Sequence, residues 1–106
     1  MKTFHHNGSC PVRDVIARIN SKWSMLVMVT LKANGKMRFG EIQKSIGDVS
    51  QRMLTVTLRT LEEDGMVERV VYAEVPPRVE YNLTDKGNSF MPVLDQLVGW
   101  ALENTE

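Results

Sequence analysis

Between Ser50 and Thr84 the chain switches its repeat within a few residues, and that switch limits the folds open to it. Residues 50–65, SQRMLTVTLRTLEEDG, place Leu54, Leu58 and Leu61 at helical spacing, within one narrow arc. Gly65 is the usual kind of residue to stop such a helix. Directly after it, MVERVVYAEVPPRVEYNLT carries two β-branched runs around Glu74 to Pro77, which predicts a hairpin with two prolines at its tip. Upstream, KMRFGEIQKSI sets Phe39, Ile42 and Ile46 on one helical face, and Gly47-Asp48 makes a tight turn before Ser50, a good N-cap. Two short helices joined by such a turn form a helix-turn-helix, and the hairpin that follows makes it winged.

The remaining segments fit round this unit. Residues 1–9, with His5, His6, Asn7 and Gly8, have no period and are expected to form a loose arm. CPVRDVIARI starts a helix at Cys10, with Pro11 at its first position and Val12, Val15, Ile16 and Ile19 at helical spacing. KWSMLVMVTLKAN, residues 22–34, is apolar nearly all round and is expected to be a buried central helix. Met37 to Phe39 suggest a short edge strand. Thr84-Asp85 restarts helix, and Phe90, Leu94, Leu97, Val98 and Ala101 carry it to the C-terminus, with Pro92 expected to kink it or mark a second start. The expected fold is mainly α with a small β-hairpin (α+β), one domain over residues 10–106. At 106 residues the chain can bury one core and not two.

Thirteen basic and thirteen acidic residues cancel, but they do not mix. Residues 1–60 hold ten Lys/Arg against three acids, a local balance of +7, and residues 61–106 hold three against ten, or −7. Chance clustering on solvated faces is one explanation. The other is a basic binding half and an acidic half turned elsewhere.

The outer arc of the 50–64 helix favours the second. It carries Arg52, Thr55, Val56, Arg59 and Glu63, where a helix selected for solubility would show Glu/Lys pairs four apart. Arginine can grip guanine through two hydrogen bonds, and Thr and Val can touch a thymine methyl, so this face suits a DNA major groove. Ser50 and Gln51 lie at the helix start, where free backbone amides favour a phosphate. Glu62, Glu63 and Asp64 crowd the far end and would repel DNA, so the N-terminal half is the part expected to enter. Lys36, Arg38 and Lys44 border the preceding helix as candidate phosphate contacts. Arg78 follows the proline pair, where a wing would meet backbone or minor groove.

Several stretches together resemble the HxlR-type winged helix regulators, bacterial and archaeal transcription factors related to the MarR type. They are CPV at 10–12, KW at 22–23, RFGEI at 38–42, SQRMLTVTLRTLEEDGMVER at 50–69, VPPRVEYNLTDKG at 75–87 and PVL at 92–94. The resemblance runs from Cys10 to Trp100. It implies a homodimeric DNA-binding repressor or activator with its recognition helix at about 50–64. It also implies a role for Cys10, because several family members use the matching cysteine to sense oxidants or electrophiles.

Read from the residues alone, Cys10 has two readings. As the residue before Pro11 it would sit at the positive end of a helix dipole with Arg13 one turn on, and both favour a thiolate. It can equally be a small residue packed at a helix end. With one cysteine the chain forms no internal disulfide, which suits a reducing compartment. The C-terminal helix holds more apolar residues than one small core can cover. Phe90, Leu94, Leu97, Val98, Trp100 and Ala101 are therefore expected at a two-fold interface, with the first helix as partner.

Other classes find little support. Trp23 and Trp100 read as core or interface anchors rather than a ligand box, and His5 and His6 lack further ligands at metal spacing. No phosphate loop, Gly-x-Ser-x-Gly or isolated carboxylate pair points to an enzyme or a cofactor. No apolar run is long enough to span a bilayer and no signal segment opens the chain, so a cytoplasmic protein is expected. Its expected partners are a double-stranded, pseudo-palindromic operator, a second copy of itself, and an oxidant or small-molecule effector. The rival is a winged helix that binds a protein and no DNA, which would more typically show aromatic anchors on the same face.

Overall fold

Residues 22–105 are arranged round one helix. The computed structural model describes residues 22–105. The N-terminal arm, Cys10 and the first helix expected after it lie outside the described residues. The elements are α1 (Lys22–Asn34), α2 (Phe39–Ile46), α3 (Gln51–Glu63), β1 (Val67–Tyr72), β2 (Arg78–Leu83) and α4 (Asp85–Glu103). Helix α1 packs against α2, α3, α4 and β2, the central position its composition predicts. It is not buried all round, however. Val27, Met28 and Leu31 are in the core, while Leu26 and Val29 remain exposed on the described chain.

The helix-turn-helix is α2 and α3. At the start of α2 the Arg38 backbone N–H donates to Glu41 Oε1 at 2.8 Å, which fixes the first turn. This cap overrides the edge strand expected at Met37 to Phe39. Only Met37 pairs, in an isolated bridge to Tyr81 with bonds of 3.0 and 2.7 Å, and Phe39 already begins the helix. The turn between the helices passes through Gly47 at φ 98°, a left-handed conformation that a side chain would strain. Ser50 then caps α3, its Oγ accepting from the Met53 N–H at 3.0 Å.

Leu54, Leu58 and Leu61 all face inward and are buried. Thr57 is buried with them, and its hydroxyl donates to the Met53 carbonyl at 2.8 Å, so no polar atom is stranded. Helix α3 ends at Glu63, and Gly65 at φ 76° turns the chain into β1. The hairpin is antiparallel, in register from Val67↔Leu83 to Tyr72↔Arg78. Its base is fastened to the core by Val67 and Leu83, and its tip, Ala73 to Pro77, is exposed. The Val75–Pro76 bond is cis.

Helix α4 starts on a dense cap. Thr84 Oγ1 accepts from the Gly87 N–H at 3.0 Å and donates to the Gly65 carbonyl at 2.5 Å, and Lys86 Nζ reaches the Asp64 carbonyl at 2.7 Å. Gly87 lets this turn lie on the sheet. A Cβ there would stand 2.1 Å from the Met66 carbonyl oxygen. Of the two outcomes expected at Pro92, a kink or a second start, the second start is not found, since α4 is one helix from Asp85 to Glu103. Pro92 and Asn88 are both exposed, so the carbonyl that loses a helical partner is free to meet water. Leu94, expected at a subunit interface, is instead fully buried in the core beside Met91.

Candidate nucleic-acid interface

The side chains opposite the leucines of α3 point to solvent. Arg52, Thr55, Val56, Arg59 and Glu63 are all exposed, Val56 by 49%. Met53, which sequence reasoning did not single out, joins them at 41%. Arg52 and Arg59 make no ion pair among the described residues, so both guanidiniums keep all their donors. The first turn of α3 contains no acid, which leaves its free amides and the exposed Gln51 unopposed. Ser50 has spent an acceptor lone pair on its cap, though its proton is still available. Thr55 is restricted the other way. Its hydroxyl donates to the Gln51 carbonyl at 2.8 Å, leaving a methyl group and oxygen lone pairs to offer a base.

The hairpin places the next set. The Arg78 guanidinium lies 4.2 Å over the Tyr72 ring and 3.1 Å from Glu74, with Nε 4.0 Å from Glu80 and no hydrogen-bond partner of its own. The free wing cation expected at Arg78 is therefore partly committed. Cross-strand pairing with Tyr72 folds it back along the hairpin, where Glu74 meets it. Lys36 Nζ donates to Tyr72 Oη at 3.4 Å, which ties the segment before α2 to the same ring. Arg38 is exposed and shares a hollow of about 360 Å³ with Glu74 to Val79. Lys44 is exposed on α2.

A second hollow, of about 320 Å³, separates α3 from the sheet. Phe39, Thr55, Leu58, Arg59, Glu62, Arg69 and Tyr81 line it. Arg69 was missed by reasoning on charge because it belongs to the acidic half. The period of two in β1 did hold the signal, since it puts Arg69 on the same face as the buried Val67. Among the described residues no group of His, Cys, Asp and Glu could hold a metal, and no helix is long and apolar enough to cross a membrane.

The arrangement of helices and hairpin has counterparts among known proteins. The family model described as HxlR-like helix-turn-helix matches residues 18–106. The chain belongs to the HxlR-like family. Among its relatives is an HTH-type transcriptional regulator of Methanothermobacter thermautotrophicus, 54% identical over 92 residues, or 87% of this chain and 70% of the relative. The solved structure of the redox regulator HypR in its oxidized form is similar at a TM-score of 0.81 and 40% identity, covering 92% of this chain and 99% of that one. The reduced form of the transcriptional regulator YodB from B. subtilis is similar at a TM-score of 0.79 and 34% identity, covering 92% and 96%. HxlR-like proteins are helix-turn-helix transcriptional regulators, and DNA is the partner that membership implies. The reading as a protein-only interaction module is accordingly disfavoured.

Proposed function

We propose that this chain acts as a homodimer that reads a pseudo-palindromic operator, one recognition helix α3 in each of two successive major grooves. The observation that carries the reading is the outward face of α3. Arg52 and Arg59 stand exposed, unpaired among the described residues, with Val56 between them. Such groups match guanine edges and thymine methyls. Gln51, Ser50, Lys36, Arg38 and Lys44 then hold phosphates and fix orientation, and Arg78 does so once released from Glu74.

Dimerisation is supported by the far half of α4. Leu97, Val98, Trp100 and Leu102 remain exposed there, Trp100 by 65% and Leu102 by 73%. A contiguous apolar surface of that kind is typical of an interface. Ala101 lies among these residues, and Phe90 packs partly on the core.

Cys10 is the proposed sensor thiol. Its support is its sequence position before Pro11 and the similarity to HypR, a redox regulator, and to YodB. Genomic fragments bound by purified protein would supply an operator. Its binding would then be titrated against diamide for the parent and for Cys10→Ser. The expected result is an affinity change in the parent alone. No selected fragment would overturn the DNA reading, and equal responses in both proteins would overturn the thiol.

A further inference from the structure

The hollow between α3 and the hairpin is lined by two arginines from different elements, and among the described residues neither is held in an ion pair. Arg59 projects from α3 and Arg69 from β1, and both are exposed. We propose that this cleft seats one sugar–phosphate strand of the operator, with Arg59 and Arg69 holding the same phosphate from opposite sides. The proposal rests on the DNA-binding reading and adds to it a residue, Arg69, that the recognition-helix face does not include.

Three features favour a DNA strand as occupant. A helix lying in the major groove leaves a backbone strand along each flank, and the strand on the hairpin side runs over this cleft. The rim supplies two planar guanidiniums, the side chain best matched to two oxygens of one phosphate. Phe39, Leu58 and the Tyr81 ring line the hollow as well, giving a sugar apolar surface to pack on. Arg69 stands on a strand beside α3, so its reach is to backbone and not to bases. Among the described residues that line the cleft the one acid is Glu62, which lies a turn beyond Arg59 towards the C-terminus of α3. It places the phosphate at the Thr55–Arg59 end and opposes a strand that slides further.

The test compares the parent, Arg69→Gln, Arg69→Lys and Glu62→Gln on two probes. One is a duplex recovered by genomic selection, and the other is a mixed-sequence duplex of the same length, each titrated against salt. Arg69→Gln should lose the same factor on both probes. Its slope of log affinity against log salt should become shallower by about 0.9 per subunit, the effect of one phosphate contact. Arg69→Lys should restore most of that slope. Glu62→Gln should bind both probes more tightly, a gain that misfolding could not produce. An Arg69→Gln protein that keeps the parent's slope, or that weakens on the selected duplex alone, overturns the proposal and leaves the recognition helix standing. A parent that binds neither probe overturns both.

Discussion

Arg52 and Thr55 sit three residues apart on α3, and what each can offer DNA differs for a reason visible only in the structure. Among the described residues nothing engages the Arg52 guanidinium, whereas Thr55 has given its proton to the Gln51 carbonyl. If Arg52 contacts a base, Arg52→Ala should cost roughly 1–3 kcal/mol on the selected duplex and relax preference at one position. Arg59→Ala, which removes one side of the phosphate clamp, should instead weaken the selected and mixed-sequence duplexes alike. Unchanged affinity in both variants would remove α3 as the recognition helix. The leucine period announced this outer face, because an arc opposite three core leucines has nowhere else to point. Arg78 was less legible. Its sequence context shows a cation after two prolines, but not the tyrosine ring and carboxylate that cross-strand pairing brings beside it. Gly87 was not legible at all, because the carbonyl that excludes a side chain belongs to Met66, 21 residues earlier. Gly87→Ala should destabilise by about 1–3 kcal/mol, since backbone must move to admit the new carbon. Gly40→Ala, with open space around its Cβ, should be neutral or gain up to about 1 kcal/mol. Urea unfolding of the two variants side by side reads the difference.

At the scale of elements, the helices and the hairpin could be read from period and punctuation, and the departures share a cause. Met37 to Phe39 have the composition of a strand, yet Glu41, two residues past Phe39, recruits the Arg38 amide and starts a helix. Pro92 does not end α4 although an interior proline costs about 3 kcal/mol, because Met91 and Leu94 on either side of it are both held in the core. Local rules predict what a segment prefers alone, and tertiary contacts decide between near-equal options. The hairpin gives a prediction at this scale. Glu74 and Arg78 are partly exposed, with 50% and 33% of their side chains accessible, so Glu74→Gln should change stability by less than about 1 kcal/mol. It should nonetheless tighten duplex binding by freeing Arg78 and removing a carboxylate from the wing. Stability is read by thermal melting and affinity by fluorescence anisotropy, and parental affinity in the variant would show that Arg78 meets no phosphate.

For the whole molecule, the sequence announced a surplus of apolar residues in α4 but could not divide it. Packing assigns Met91 and Leu94 to the core and leaves Leu97, Val98, Trp100 and Leu102 exposed. The two sets should respond differently to a charge. Leu94→Asp buries an unpaired carboxylate and should unfold the protein. Leu97→Asp should leave a folded monomer, with operator affinity reduced to that of a single half-site. Sedimentation with circular dichroism separates the outcomes, and a monomeric parent at micromolar concentration would remove the interface. The Thr84–Gly65 and Lys86–Asp64 bonds give such a dimer a mechanical property. They fasten the near end of α4 to the end of α3, so the 19 residues of α4 form a lever roughly 28 Å long. A tilt of about 10° at its far end then swings α3 by about 5 Å, more than the 3.4 Å between successive nucleotides of a strand. The length of α4 would thus set a gear ratio in such a dimer, where a tilt of about 7° between subunits already carries one reading head past the next nucleotide.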